Sequence, residues 1–399
     1  MTSAIVIGGG IAGCSTAYAL AKRGFAVTLI ERHDKLASEA SGNPLAMLYP
    51  KLSTKPSMQS TLAWQGFEFT LNLLKNLTTS HQFFAACGQI QLAFDTREQA
   101  KQAILADLYQ LQVLNASAAS EIAGIALKVG GLNLPQAGWI KPAALCEALC
   151  SQVFINKKVL INKKFTTNAL KIEKLANYWR VFDGLNNMFE ADIVVICNAN
   201  DIKQFPQCSN IEISSVRGQV NFFAANELSK NVRTIICSDH SLSPAVDGTH
   251  SIGTSYALND TDPEISAADT QENLNALRTV APEIYQNIDQ NFVQGRVAWR
   301  STTADYMPLA GQLLDDEKLR ANPPRYNANP ADLPWLQGLY VNAGHGSKGM
   351  ITAPICGELI ACLICNSALP TDTKLASKLN PSRFLLRALG IKQLANSLY

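Results

Sequence analysis

The feature that most constrains this 399-residue chain is a glycine-rich turn between two short apolar stretches at its start. Residues 4–7 (AIVI) are typical of a buried parallel strand, because they are apolar and mostly β-branched. The next six residues fit G-x-G-x-x-G, and a helix over 11–23 and a second strand over 25–30 are expected to follow. This order predicts a βαβ unit whose helix N-terminus faces the phosphates of a dinucleotide.

The glycines of this turn have distinct expected roles. Gly8 permits a tight turn, Gly10 lets the backbone approach a pyrophosphate, and Gly13 lets the helix pack closely on the strand. Glu31 ends the second strand, 18 residues after Gly13, where a carboxylate can accept hydrogen bonds from a ribose 2′-hydroxyl.

A second glycine cluster lies near the end of the chain. A strand over 339–342 leads into Gly344-His-Gly-Ser-Lys-Gly349, and a long helix over 350–365 is expected to follow. The N-terminus of that helix can face a partially negative group, such as the N1/C2=O edge of a reduced flavin. The alternative is a second packing turn with no ligand.

The composition of the chain argues against several classes of protein. Hydrophobic residues make up 47% of the chain and the formal net charge is +2, so composition alone predicts no nucleic-acid partner. The ten scattered cysteines indicate reduced core residues of a cytoplasmic protein, and the five histidines show no metal-ligand spacing. The most apolar segment, 349–364, is interrupted by Pro354 and Glu358, so no membrane span is expected.

Apolar spacing predicts the other elements. Residues 35–49 are expected to form a loop and 323–334 a proline-rich loop. The predicted helices are 57–77, 96–114 and 263–280, with a further helix starting near Pro142. The predicted strands are 88–94, 158–165, 169–175, 179–182, 193–197, 216–223 and 294–300, and 193–197 is expected to return to the first sheet.

Five segments resemble the D-amino-acid oxidase/glycine oxidase superfamily of FAD enzymes. They are Glu31-Arg32 after the fingerprint, Ala40-Ser-Gly-Asn43, Arg217-Gly-Gln219, the stretch 296–311 (RVAWRSTTADYMPLAG) and the terminal GHGSKG. Three longer segments are similar to the FAD domain of MnmC-type tRNA wobble-uridine-modifying enzymes. These are 41–53 (SGNPLAMLYPKLS), 296–311 and 368–390.

The resemblance implies an α/β fold in which a Rossmann-like FAD-binding domain is interleaved with a smaller, glycine oxidase-like α+β substrate domain. We expect the FAD domain to take residues 1–50, 130–205 and 335–399. The substrate domain takes 51–129 and 206–334. The FAD is expected to be non-covalent, because no cysteine lies between residues 301 and 311 and no histidine lies in 38–50.

The resemblance also implies a reaction. The expected activity is oxidative removal of the carboxymethyl group from 5-carboxymethylaminomethyl-(2-thio)uridine at the tRNA wobble position, giving aminomethyluridine and glyoxylate. No methyltransferase is expected in this chain, so a separate methyltransferase could be a partner. The alternatives are an oxidase of glycine, sarcosine or a D-amino acid, and a non-catalytic flavoprotein scaffold.

The resemblance also implies site residues, at the positions of this sequence that match the family's motifs. Arg300 is the candidate for binding a substrate carboxylate and Arg217 is the second candidate, since arginine offers a bidentate fork. His345 and Lys348 are expected at the flavin edge, where a cation would stabilise the reduced ring, although His345 could be only a turn residue. No metal site is expected. The candidate cofactor-binding residues are Gly8, Gly10, Ile11, Ala12, Gly13, Glu31, Arg32, Ser41, Gly42, Ala169, Asn198, Gly344, His345, Gly346, Ser347, Lys348, Gly349 and Met350.

The prediction of an RNA partner rests on the C-terminal tail, the residues after Asp372. Five cations follow Asp372 with no acidic residue among them, and such a local patch can bind phosphates of the tRNA anticodon region. Lys378, Arg383 and Arg387 are the expected phosphate contacts. Lys157-Lys158 and Lys163-Lys164 form a second cluster. The alternative is that these cations lie on solvated helix faces.

Overall fold

The computed structural model describes residues 2–151, 154–155, 158–159 and 161–399. The α-helices are α1 (Ile11–Ala21), α2 (Met58–Asn76), α3 (Thr96–Tyr109), α4 (Ala116–Ala123), α5 (Pro142–Ser151), α6 (Ala267–Val280), α7 (Pro282–Gln286), α8 (Asp316–Ala321), α9 (Gly349–Ile364), α10 (Thr373–Leu379) and α11 (Arg383–Ala388).

The strands, in chain order, are β1 (Ser3–Ile7), β2 (Ala26–Ile30), β3 (Ala46–Leu48), β4 (Phe84–Ala85), β5 (Gln89–Leu92), β6 (Gln112–Leu114), β7 (Gly131–Leu134), β8 (Gly138–Ile140), β9 (Phe154–Ile155), β10 (Lys158–Val159), β11 (Ile161–Lys164), β12 (Ala169–Lys174), β13 (Trp179–Asp183), β14 (Met188–Ala191), β15 (Ile193–Ile196), β16 (Ile213–Ala224), β17 (Ile235–Cys237), β18 (Ser241–Leu242), β19 (Thr249–Gly253), β20 (Ala257–Leu258), β21 (Gln294–Thr303), β22 (Leu309–Leu314) and β23 (Trp335–Ala343).

The first sheet has six strands in the order β11-β2-β1-β15-β23-β22. Its first five strands are parallel, and β22 pairs antiparallel to β23 at the edge. The expected return of residues 193–197 is confirmed, because Ile193 to Ile196 pair with Ala4 to Ile7. Strands buried on both faces explain the continuous apolar runs, since helices cover one face and a three-stranded meander (β12-β13-β14) contributes to the other.

The second sheet has nine strands and carries β16 and β21. These two long strands pair antiparallel over ten residues, from Ile213 opposite Thr303 to Phe222 opposite Gln294. Two strands cross the predicted domain boundaries. β22 (Leu309–Leu314) belongs to the first sheet and β7 (Gly131–Leu134) to the second, whereas their positions in the chain predicted the reverse. The remaining boundaries stay a prediction.

Several predicted elements need correction. Helix 96–114 ends at Tyr109, because Gln110 turns to φ +52° and Gln112–Leu114 pairs with β7 as a strand. The loop over 35–49 contains strand β3, which pairs with β8, and helix 263–280 begins only at Ala267. The first two differences come from long-range pairing, which local spacing does not report. The later start of α6 follows its N-cap Ser266, whose side chain accepts a hydrogen bond from the Asp269 N–H. Leu160, within the predicted strand 158–165, lies outside the described residues. So does Lys157, which belongs to the second predicted lysine cluster.

The helical segment Gly346–Ile364, which includes α9, is long and apolar enough to span a membrane by length and composition. However, 67% of its 18-residue apolar window is buried inside the protein. It packs closely on α1, because a Cβ at Gly357 would lie 2.9 Å from the backbone carbon of Ser15. This burial is what a core helix of a globular domain requires.

The C-terminal tail packs back onto the first sheet. Leu385, Leu386, Leu394 and Leu398 form a small core with Leu314 of β22. Arg383, the first residue of α11 in this tail, is fully buried and pairs with Asp305 in the turn between β21 and β22. Its Nε and Nη2 donate to the two Asp305 oxygens at 3.0 and 2.8 Å.

We predict that Asp305→Ala lowers the free energy of unfolding by about 3–5 kcal/mol, because it leaves the Arg383 guanidinium buried without its counter-charge. Urea denaturation measures the loss. Glu190→Ala, which breaks the exposed pair with Arg180, is the matched control and should cost less than about 1 kcal/mol. Equal losses in the two variants would contradict the prediction.

Candidate active site

Three adjoining cavities run from the carboxyl ends of the parallel strands toward the second sheet. The first cavity is lined by the turn at Gly8 and by Glu31 and Asn198. The middle cavity shares Gly10 and Ser41 with the first. The outer cavity, of about 400 Å³, shares Arg300, His345, Gly346 and Ser347 with the middle one. The row therefore suits an elongated ligand whose far end meets a substrate.

The first glycine turn has the geometry that its sequence predicts. Gly8 has φ +108°, and a Cβ there would lie 2.8 Å from the carbonyl oxygen of Cys197. A Cβ at Gly13 would lie only 1.8 Å from the carbonyl oxygen of Gly8, so α1 can approach β1 only with glycine. Helix α1 then begins at Ile11, whose N–H donates to Ser41 Oγ at 3.0 Å beside the middle cavity.

Glu31 is buried at the edge of the first cavity. Its Oε2 accepts from the Gly9 N–H at 2.6 Å and its Oε1 from the His33 N–H at 2.8 Å. These bonds fix the orientation of the carboxylate at the edge of the first cavity. Arg32 closes the rim, because it pairs with Glu39 on one side and with Asp201 at 2.8 Å on the other.

The second glycine cluster is joined to α1 by a buried chain of side chains. Asn342 Nδ2 donates to Thr16 Oγ1 at 2.9 Å, and Asn342 Oδ1 lies 2.9 Å from His345 Nε2. The other ring nitrogen, Nδ1, lies 2.9 Å from Thr352 Oγ1 in α9. This polar chain links α1, β23 and α9 around the middle cavity.

For His345 the sequence left open a cation or a turn residue, and the structure disfavours the cation. Burial lowers the pKa of His345 to about 3, so the ring is neutral at physiological pH. Since Asn342 Oδ1 is an acceptor, Nε2 carries the ring proton. The geometry supports a role in positioning the second glycine cluster.

Lys348 is the cation of this cluster, but it faces the outer cavity and not the middle one. Its ammonium lies 3.8 Å from the centroid of the Tyr49 ring. Burial lowers the pKa of Lys348 to about 8, with a smaller contribution from the nearby charge of Lys51. Lys348 thus changes charge within the range where enzymes work.

Arg300 lies where the middle and outer cavities meet. Its Nη2 donates to Thr254 Oγ1 at 2.8 Å, and the missing side chain of Gly218 leaves room for the guanidinium. Among the salt bridges of the described residues, none involves Arg300. Burial lowers its pKa, so an incoming carboxylate would supply a missing counter-charge.

Arg217, the second candidate, is separated from Arg300. Arg300 pairs with Val216 across the strands and Arg217 with Trp299, so the two arginines lie on opposite faces of the sheet. Arg217 is buried, forms an ion pair with Asp269 and donates from Nε to the Asp262 carbonyl at 2.7 Å. The structure supports a structural role for Arg217 in place of the predicted carboxylate binding.

The cavities fit a dinucleotide-type cofactor with a ring at its far end. Two buried polar atoms, Asn198 Oδ1 beside the first cavity and Ser301 Oγ beside the middle one, have no hydrogen-bond partner among the described residues. A ligand would satisfy them. The predicted cofactor residues that line these two cavities are Gly8, Gly10, Ile11, Ala12, Glu31, Arg32, Ser41, Ala169, Asn198, Gly344, His345, Gly346, Ser347, Gly349 and Met350.

Three predicted cofactor residues do not line them. Gly13 packs α1 against β1, Gly42 borders a separate cavity, and Lys348 faces outward. Sequence reasoning did not name other residues that line these cavities: Thr167, Asn168, Trp299, Asn43, Pro142 and Ser301. Trp299, Ser301 and Asn43 lie in the quoted segments, but the resemblance assigned them no role. Arg296 was also missed; it holds the loop by donating to Asn43 Oδ1 at 2.7 Å.

The tail cations have mixed positions. Arg383 is fully buried, which excludes the predicted contact with a phosphate, and Arg387 pairs with Asp305 at 2.8 Å. Lys374 is exposed and Lys378 is half-buried. Burial lowers the pKa of Lys378, and the nearby charges of Arg387 and Lys374 lower it further. Of the second predicted cluster, Lys157 and the side chain of Lys158 lie outside the described residues, and Lys163 pairs with Glu147.

No group of three or more potential metal ligands occurs among the described residues. Within the same part of the chain the cysteines are free thiols, mostly buried, and Cys362 and Cys365 lie in and just after α9.

Comparison with known proteins supports this geometry. The profile of the DAO family, described as FAD dependent oxidoreductase, matches residues 3–363. A protein named tRNA 5-methylaminomethyl-2-thiouridine biosynthesis bifunctional protein MnmC, from Methylobacillus flagellatus, is 40% identical over 99% of this chain and 61% of its own length. Its counterpart from Pseudomonas syringae pv. syringae is 38% identical over 97% of this chain and 59% of its own. The chain thus spans about three fifths of the curated relatives it matches.

Solved structures show the same fold. Glycine oxidase from Geobacillus kaustophilus superposes with a TM-score of 0.77 at 20% identity, covering 96% of this chain and 99% of that one. L-Proline dehydrogenase from P. horikoshii superposes with a TM-score of 0.76 at 18% identity, covering 96% and 98%. The predicted fold class is therefore confirmed.

We predict that Lys348 makes carboxylate binding depend on pH. In FAD-loaded protein, the affinity for acetate should stay constant below about pH 7 and fall about tenfold per pH unit above about pH 8, as the ammonium loses its proton. Flavin difference spectra measure the affinity. Lys348→Met should remove the pH dependence, whereas Lys230→Met, at an exposed ion pair, should keep it. A Lys348→Met protein with the wild-type pH profile would refute the assignment.

Proposed function

This chain belongs to the DAO family of FAD-dependent oxidoreductases, and from that premise we propose that it acts on tRNA. The proposed reaction removes the carboxymethyl group from 5-carboxymethylaminomethyl-(2-thio)uridine at the wobble position, giving aminomethyluridine and glyoxylate. The observation that carries the proposal is the unpaired Arg300 guanidinium where the middle and outer cavities meet. Similarity to the two MnmC proteins over nearly the whole chain supports the choice of substrate.

The chemistry that FAD supplies when bound is acceptance of a hydride from the methylene beside the carboxylate, after which water hydrolyses the C=N bond. The residues that would hold it line the first and middle cavities, with Glu31 at the ribose and the amino ends of α1 and α9 toward its negative groups. Non-covalent attachment stays a prediction.

Arg300 would bind the substrate carboxylate through its two-pronged guanidinium. Thr254 holds the Nη2 end of this group, so the fork is oriented before the substrate arrives. A carboxylate placed here lies at the junction with the middle cavity, and the neighbouring methylene would point into it. Lys348 would add a second positive charge on the outer side at neutral pH.

The outer cavity favours a large substrate. Its rim includes Tyr256, Tyr306 and Lys51, all of which are exposed. Lys374 and Lys378 lie on the tail helix α10, and Lys378 is close enough to Asp305 and Arg387 for their charges to shift its pKa. A polyanion with a protruding base could therefore reach Arg300 while its phosphates remain outside.

This function sets expectations for partners and location. The printed name of the relatives describes a bifunctional protein, and this chain spans about three fifths of their length. We expect methylation of the product amine to come from a methyltransferase that could be a separate protein. We expect the cytoplasm as location, where tRNA is modified and free thiols stay reduced.

We predict that Arg300→Ala retains FAD but lowers kcat/KM by about 10²–10⁴-fold, because a buried charge-assisted pair with the substrate is lost. Arg300→Lys should recover little, since one ammonium cannot reproduce the fork. Steady-state kinetics with FAD content and melting temperature measured in parallel test this. Arg278→Ala on α6 is the surface control. Turnover near wild type in Arg300→Ala would place carboxylate binding elsewhere.

The choice of substrate is tested by anaerobic flavin reduction. Undermodified tRNA carrying the carboxymethylaminomethyl group should bleach the flavin and release glyoxylate. Glycine, sarcosine and D-amino acids should reduce it far more slowly, because they lack the contacts that position the base. Fast reduction by a free amine with none by the tRNA would favour a small-molecule oxidase instead. No reduction by either would favour a non-catalytic scaffold.

A further inference from the structure

Two tyrosines stand at the mouth of the outer cavity. Tyr306 is 69% exposed and Tyr256 is 58% exposed, yet both line the cavity that contains Arg300. Large aromatic side chains usually bury much of their surface, so two exposed rings at one opening need an explanation. The reaction at Arg300 does not supply one.

Tyr306 also has an unusual backbone. Its φ is +55°, a left-handed conformation that bulky residues rarely adopt. The turn is nevertheless tightly held, because the Tyr306 N–H donates to the Thr303 carbonyl at 3.1 Å and Asp305 Oδ1 accepts from the Met307 N–H at 3.2 Å. Gln59 of α2 adds a bond to the Asp305 carbonyl at 2.7 Å. These contacts hold the backbone of the turn that carries Tyr306 at the cavity mouth.

The C-terminal tail anchors the same turn. The Asp305 carboxylate accepts bonds from Arg383 at 3.0 and 2.8 Å and from Arg387 at 2.8 Å. Burial raises the pKa of Asp305, but the two arginines outweigh that effect and keep it well below its usual range. Two cations of the tail are therefore paired with the turn that carries Tyr306, and buried Arg383 is not accessible to phosphates.

We propose that the Tyr306 ring is the stacking platform for the substrate's nucleobase, with Tyr256 as a second aromatic contact. In this arrangement Arg383 and Arg387 are positioning residues that act through Asp305. The inference rests on the proposed tRNA substrate and deepens it. An extruded base offers a flat π-face to an exposed ring, and its carboxymethylaminomethyl arm would reach inward to Arg300.

The test uses an anticodon stem-loop RNA that carries 5-carboxymethylaminomethyluridine, with FAD-loaded protein under anaerobic conditions. The dependence of the flavin reduction rate on RNA concentration gives an apparent Kd and a limiting rate. Tyr306→Ala should raise the Kd by about 5- to 100-fold, the loss expected for one stacked base. Tyr306→Phe should restore wild-type binding, and Tyr306→Leu should not, because it lacks a π-face.

Controls separate stacking from damage to the fold. Tyr326→Ala removes a tyrosine of similar exposure that lines none of the three cavities, and it should behave as wild type. FAD content and melting temperature should be unchanged in all Tyr306 variants. A Tyr306→Ala protein within about twofold of the wild-type Kd would overturn the proposal, as would a leucine variant equal to the phenylalanine one.

Arg387 provides a second, independent test. If it acts through the turn, Arg387→Ala should weaken RNA binding in the wild-type background and add little to Tyr306→Ala. The slope of log Kd against log salt should also stay unchanged. Additive effects with a slope lower by about one unit would mean that Arg387 binds a phosphate itself, and would overturn its positioning role.

The proposed function can fail separately. A wild-type protein that is reduced by sarcosine but not by the stem-loop RNA would remove the tRNA substrate, and this inference with it. A wild-type protein that is reduced by the RNA, with Tyr306→Ala unimpaired, would leave the proposed function intact and overturn the stacking platform alone.

Discussion

The buried polar chain from Thr16 through Asn342 and His345 to Thr352 is the interaction on which the site depends. It joins the first βαβ unit to the last strand and helix, although more than 320 residues separate Thr16 from Asn342. Breaking any member would leave a polar group unpaired in the core, which costs more than a hydrogen bond contributes. Because these hydrogen bonds hold the amino ends of α1 and α9 around one cavity, residues from both ends of the sequence can contact a single cofactor.

The outer cavity is also built from parts of the chain that are far apart in sequence. Arg300 faces inward from β21, and the turn that follows this strand carries Tyr306 at the opening. Asp305 lies between them in the chain and ties the turn to Arg383 and Arg387 of the tail. The tail thus shapes the mouth of the cavity through packing and charge, and adjacent parts of one strand and its turn hold Arg300 and Tyr306.

The local patterns of the sequence predicted much of this. The first fingerprint, the return strand at 193–197 and the second glycine cluster were recognisable because each depends on neighbours close in sequence. The resemblance placed Arg300 correctly at a cavity, although its role stays proposed. Two charged residues, Arg217 and Arg383, were misjudged, and His345 was left open between a cation and a turn residue. The neutrality of His345 comes from its burial. The ion pair of Arg217 with Asp269 and the pairing of buried Arg383 with Asp305 depend on partners 52 and 78 residues away. Residue type and spacing carry no information on such pairs, and charge counting treats every cation as exposed.

The central claim concerns the substrate, and the nucleosides of whole tRNA test it most directly. In a strain that lacks this gene, mass spectrometry should show accumulation of 5-carboxymethylaminomethyl-2-thiouridine and loss of the nucleosides made from it. Restoring the wild-type gene should reverse the change, and restoring Arg300→Ala should not. An unchanged nucleoside profile in the deletion strain would contradict the account and favour a small-molecule oxidase instead.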